Sequence, residues 1–202
     1  MLSTMALAQS RRRMTAEARR RQILDVTHAI VDAEGFHAAT PNRIAREAGI
    51  NRSLLYQQFG DPTRLFVALI DREAARAGAQ FAEAIAAEPG EESDLVSRFD
   101  SVVRAADAFP ATWRLFLFPP QGAPPQLHER LAQAQEVVRT YLTGELLRIY
   151  PDLPDPDYTA RMLQAAAREL LQLRLSDPAA ATRERLHALV RSLALRVAVP
   201  AR

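Results

Sequence analysis

Apolar residues recur at three- and four-residue steps along most of the chain. Ile23, Val26, Ile30 and Val31 trace one face of a helix over 15–34, which Gly35 ends. In 40–59, Thr40 suits an N-cap and Pro41 the first helical position. Ile44, Ala45 and Ala48 share a face, Gly49 supplies a left-handed stop, and Asn51 caps a second short helix carrying Leu55 and Phe59. Asp61-Pro62 starts a long helix to about residue 87, with Phe66, Ile70, Ala77, Phe81 and Ile85 in one stripe, stopped by Pro89-Gly90. Helical patterns return over 92–108, 111–118, 126–149, 157–175 and 179–198. Four prolines in 119–125 make that stretch a loop. No strand alternation and no internal repeat breaks the pattern, so the expected class is all-α.

Helix, glycine turn and short second helix make the plan of a helix-turn-helix, whose second helix enters the DNA major groove. At roughly 100° per residue, Leu55 and Phe59 set the inward direction. Ser53, Leu54 and Gln57 then face base edges, while Tyr56 and Gln58 flank them toward phosphates. Gln can bond adenine bidentately and Leu can pack on a thymine methyl. Arg52, in the first turn, is long enough to swing to a guanine or a phosphate. Thr40, Pro41, Arg43 and Asn51, at the starts of the two helices, complete the candidate contacts within the motif.

Composition agrees with a globular chain: 202 residues, 48% hydrophobic and 25% charged. There is no cysteine, which excludes disulfides and thiolate metal sites. Residues 1–60 hold nine arginines against five acids, while 61–202 hold 17 against 19. A basic front end on a near-neutral body suits a polyanion bound at one end. No apolar run reaches membrane-spanning length. The N-terminus lacks the charged region of a secretory signal, so the expected location is cytoplasmic.

Gly35-Phe36, Ala39-Thr40, Ile44-Ala45, Ala48-Gly49-Ile50, Leu55-Tyr56, Phe59 and Leu65-Phe66 together resemble the TetR family of bacterial transcriptional regulators, over about residues 20–70. The resemblance implies a homodimer with small N-terminal DNA-binding domains and a larger body that binds a small effector and dimerises through its last two helices. On that reading 1–14 is a flexible basic tail, 15–60 the three-helix DNA-binding domain and 61–202 the helical effector-binding and dimerisation domain. Three positions depart from the family's usual residues. Asn51 stands for Ser and Gln58 for His. Pro62 replaces a Lys, which shifts phosphate contact toward Thr63, Arg64 and the helix N-terminus.

The arginine runs at 11–13 and 19–21 read as a solvated tail and as phosphate contacts from the first helix. A minor-groove arm is the alternative for the first run. Phe99, Phe109, Trp113, Phe116, Phe118 and Tyr141 form the aromatic group of the body. All but Phe118 are the candidate effector-pocket residues, and ordinary core is the competing reading. Met162, Ala166 and Leu170, with Leu186, Leu189, Leu193 and Val197, lie on helices apolar on more than one face and are expected to form a twofold seam. Asp152, Asp155 and Asp157 read as a solvated loop, and the four histidines have no metal spacing. Neither a cofactor nor a metal is expected, and no catalytic motif is present, so an enzyme is not indicated. The function expected is a ligand-responsive regulator, most simply a repressor on a palindromic operator, with double-stranded operator DNA, a second copy and an apolar or amphipathic effector as partners. The alternative is a regulator that has no effector or that activates. A helical enzyme is the remote third class.

Overall fold

A computed structural model describes residues 14–86 and 95–197, with side chains to residue 193. The described residues are helical throughout, with no strand. The elements are α1 (Ala16–Glu34), a 3-10 turn (Phe36–Ala38), α2 (Pro41–Glu47), α3 (Arg52–Phe59), α4 (Pro62–Ala86), α5 (Leu95–Ala108), α6 (Pro110–Leu117), α7 (Pro125–Ile149), α8 (Pro156–Ser176) and α9 (Arg183–Val197).

Local chemistry sets the boundaries. The side chains of Thr15, Thr40, Asn51 and Asp61 accept from backbone amides three residues on, at 3.1, 3.3, 2.8 and 2.9 Å. Each satisfies one of the orphan amides at a helix start. Gly35 (φ 89°) ends α1 and Gly49 (φ 64°) turns the chain between α2 and α3, both in conformations that disfavour a side chain. Pro125 is the first residue of α7 and not the last of the loop, since a proline there sacrifices no helical hydrogen bond. The last helix starts at Arg183 and not near 179. Asp177 accepts from the amides of Ala179 and Ala180, which holds 177–182 in a turn, and Thr182 then accepts from Arg185 N at 3.2 Å.

Two apolar cores organise the chain. The first joins Ile23, Ile30 and Val31 of α1 to Ile44, Leu55 and Phe59, and to Leu65, Leu69 and Ile70 of α4. It also takes in Leu115 of α6 and Leu127 of α7. The second gathers Ala84, Val102, Val103, Ala106, Leu117, Leu171, Ala181 and Leu186, with Phe81, Phe99 and Trp113 against it. Helix α6 therefore divides its side chains. Leu115 and Leu117 are two apart, hence on opposed faces, and each enters a different core. A boundary drawn at 60/61 thus cuts across the first core.

Candidate nucleic-acid interface

Helix α3 is anchored by Leu55 and Phe59, both buried. Ser53 and Gln57 are exposed, while Leu54, expected to face outward with them, is half-buried like the flanking Tyr56 and Gln58. Helix α1 braces both ends of the motif. Gln22 Nε2 donates to the carbonyl of Ala48 at 3.1 Å, and Arg20 Nη1 donates to that of Gln58 at 2.8 Å. The Arg20 guanidinium also lies over the Phe59 ring, 4.2 Å from its centroid. Side chains of α1 thus satisfy carbonyls at the C-terminal ends of α2 and α3. Nothing in the local sequence near 40–59 announces these braces, because they come from residues over twenty positions away.

The candidate contacts fall into distinct situations. Thr40 is an exposed cap and Pro41 is half-buried. Arg43 is committed elsewhere: it donates to Glu34 at 2.8 and 2.5 Å and to Glu47 at 2.8 Å. These hydrogen bonds, Glu34's first, raise the Arg43 pKa above its usual value, and the bond from Arg43 holds the Glu34 carboxyl below the usual glutamate range. Arg43 thereby ties α2 to the end of α1. Arg52 donates to the Tyr56 hydroxyl and to Asn42. Thr63 and Arg64 are exposed on the first turn of α4, with Arg64 Nε 3.5 Å from Asp61. Arg11–Arg13 lie outside the described residues.

The motif is joined to the body through charged pairs. Arg114 of α6 holds Asp32 of α1 at 2.8 and 2.6 Å. Arg72 of α4 reaches Asp25 of α1 at 2.6 Å. At the centre is Glu73 of α4, fully buried. It accepts from Thr112 Oγ1 at 2.6 Å, Arg72 Nε at 2.8 Å and Arg76 Nη1 at 2.9 Å, with His28 Nδ1 at 3.6 Å. Burial pushes the Glu73 pKa up. The Thr112 hydrogen bond and the neighbouring His28, Arg72 and Arg76 overcome that, and the carboxyl lies below its usual range. Helices α1, α4 and α6 therefore meet at one carboxylate.

The aromatic residues of the body do not converge on one cavity. Phe116 packs on the first core, Phe99 and Trp113 on the second, and Phe109 is exposed. Tyr141 meets Phe81 edge-on, with centroids 5.7 Å apart, its ring centroid lies 5.8 Å from the Arg98 guanidinium, and its hydroxyl is buried. A cleft of about 270 Å³ lies instead between α1 and α6, bordered by His28, Asp32, Arg114 and Leu115. Among the seam candidates Met162, Ala166, Leu189 and Leu193 are exposed and Leu170 is half-buried. Leu186 is buried in its own chain's second core, because it faces α5 and α8 and not outward. The side chain of Val197 lies outside the described residues. Asp155 caps α8 through Tyr158 N, and Asp157 pairs with Arg139 and Arg161, so both have structural partners.

Residues 23–69 match the family described as bacterial regulatory proteins, tetR family. That match spans the helix-turn-helix and the helices beside it, and makes this segment similar to that family. An HTH-type transcriptional regulator of Staphylococcus aureus is 36% identical over 61 residues, which is 30% of this chain and 33% of that protein. The chain thus aligns with about a third of the length of that curated relative. A TetR-like transcriptional regulator from Rhodococcus sp. superposes on 91% of this chain and 97% of its own, with a TM-score of 0.69 at 21% identity. A TetR-family transcriptional regulator from Agrobacterium tumefaciens covers 90% of this chain and 98% of its own, with a TM-score of 0.66 at 15% identity. At those identities the likeness is one of fold: an N-terminal helix-turn-helix carried on a helical body of the same architecture. No described helix is long and apolar enough to cross a membrane.

Proposed function

We propose that this chain is a DNA-binding transcriptional regulator, a homodimeric repressor that leaves a palindromic operator when an apolar or amphipathic small molecule binds its body. One observation carries the reading: a recognition helix buries Leu55 and Phe59 and turns Ser53 and Gln57 outward, with Leu54 half-buried beside them, within a segment that matches the tetR family. The dimer is supported by apolar side chains left exposed on the last two helices: Tyr158, Met162, Leu173, Leu189 and Leu193. An effector beneath α4 is supported by the buried hydroxyl of Tyr141, a polar group set in apolar surroundings beside Phe81 and near Arg98. Release follows if the effector prefers a dimer whose recognition helices no longer match one DNA turn, about 34–36 Å. The charged junction at Glu73 gives such a shift a path from body to motif. The test is binding of the purified full chain to fragments flanking its own gene, with and without a panel of apolar compounds. Specific retention that a compound abolishes supports the reading. Retention that every compound leaves unchanged favours a regulator without an effector.

A further inference from the structure

A cluster of three side chains spans α2 and α3 on the exposed face of the motif. Arg52 donates to the Tyr56 hydroxyl from Nη2 at 2.8 Å and from Nε at 3.3 Å. Its Nη1 donates to Asn42 Oδ1 at 3.3 Å, and the guanidinium lies 5.3 Å from the Tyr56 ring centroid. Counting donors decides what is left over. A guanidinium only donates, whereas a phenol has two lone pairs and one proton. With Arg52 on its oxygen, Tyr56 has only its O–H to offer outward. The Asn42 carboxamide is turned the same way: its oxygen faces Arg52, so its NH₂ faces away. Among the described residues no acceptor takes either group. A hydroxyl that already accepts from a cation is also the stronger donor.

We propose that Arg52 is a positioning residue. It aims two neutral donors, Tyr56 O–H on α3 and Asn42 NH₂ on α2, at the acceptor-only oxygens of the DNA backbone, and reads no base itself. The inference rests on the DNA-binding reading above and adds Asn42 to the contacting residues. It also explains why a long cation in the first turn of α3 is stacked on its neighbour and not extended.

The test uses the full chain and duplexes it enriches from a random pool. Affinities are measured for one enriched duplex and for its shuffled counterpart. The variants are Tyr56→Phe, Asn42→Ala, Arg52→Ala, Arg52→Lys and the double Arg52→Ala/Tyr56→Phe. Tyr56→Phe and Arg52→Ala should each weaken both duplexes alike, by about tenfold, the loss of one hydrogen bond to a charged group. Asn42→Ala should likewise weaken both duplexes equally. The double variant should be no weaker than Arg52→Ala to within about twofold, since the two act as one unit. Arg52→Lys should not restore binding, because a single ammonium lacks the fork that holds both oxygens. A loss confined to the enriched duplex makes Arg52 a base reader and overturns the proposal. So do losses that multiply in the double variant, or full rescue by lysine. If the chain retains no duplex at all, the DNA-binding reading itself fails, a result distinct from each of these. Asn42 and Arg52 are exposed and Tyr56 half-buried, and Tyr56→Phe keeps the ring, so thermal melts should be unchanged. Arg52→Gln replaces any alanine variant that melts early.

Discussion

Replacing Glu73 by alanine removes the acceptor on which α1, α4 and α6 converge. Two arginines and a threonine then lose a partner at 2.6–2.9 Å in a site where the carboxylate is fully buried. Removing one member of a buried ion pair destabilises by about 3–5 kcal/mol. The lower end applies here. Arg76 is 44% exposed and can turn to water, and Arg72 keeps Asp25 at 2.6 Å. About 3 kcal/mol corresponds to a fall in melting temperature of roughly 6–12 °C for a chain of this size. Glu73→Gln keeps the acceptor for Thr112 but not the charge, and should lose less. The pH dependence adds a second readout. The folded Glu73 pKa lies below the unfolded value, so its stabilisation is complete above the unfolded pKa and disappears as pH falls through the folded one. Melts followed by far-UV circular dichroism should therefore separate wild type from Glu73→Gln at neutral pH, and the gap should narrow below about pH 4. If Glu73→Ala melts with the wild type, or the gap with Glu73→Gln persists unchanged in acid, the junction carries no such energy.

Three further outcomes follow from the geometry. Gln57→Ala should cost about 1–3 kcal/mol on an enriched duplex and relax preference at one base pair, checked by competition against single-base variants. Changing Leu189 and Leu193 together to Glu should separate the dimer in sedimentation while leaving the helical signal intact, since both side chains are about half exposed in one chain. Gly49→Ala should destabilise the motif by about 1 kcal/mol through its positive φ alone, because an added Cβ would meet no atom within 4 Å; denaturant unfolding measures it.

What could be read in advance was the local chemistry. Thr40-Pro41, Gly49, Asn51 and Asp61-Pro62 act within a turn of themselves, so their caps and stops are legible from neighbours alone. The facing of Ser53 and Gln57 followed from helical angle once Leu55 and Phe59 were taken as inward. Choices made by tertiary packing were not legible. Glu73 sits on the apolar stripe of α4, where a carboxylate reads as an exception until Thr112, Arg72 and Arg76 are seen around it. The aromatic residues from 99 to 118 looked like one group in sequence. They divide between two cores because α6 presents more than one face. Leu186 shares a helical stripe with Leu189 and Leu193, yet it alone of the three packs into its own chain's second core, a choice made by what lies beside each turn of α9. Arg43 stood in sequence as a candidate DNA contact; Glu47 is four residues on in its own helix, but the bonds to Glu34 of α1 depend on how α1 and α2 pack.

The central claim is that two copies of this chain read one inverted repeat through α3. Enrichment of random duplexes by this chain, followed by the stoichiometry of the enriched complex in sedimentation, tests it most directly. An inverted repeat with half-sites about one helical turn apart should emerge, bound by two chains of 22.5 kDa. Failure to enrich any sequence, or a single chain bound to a site without twofold symmetry, would contradict it.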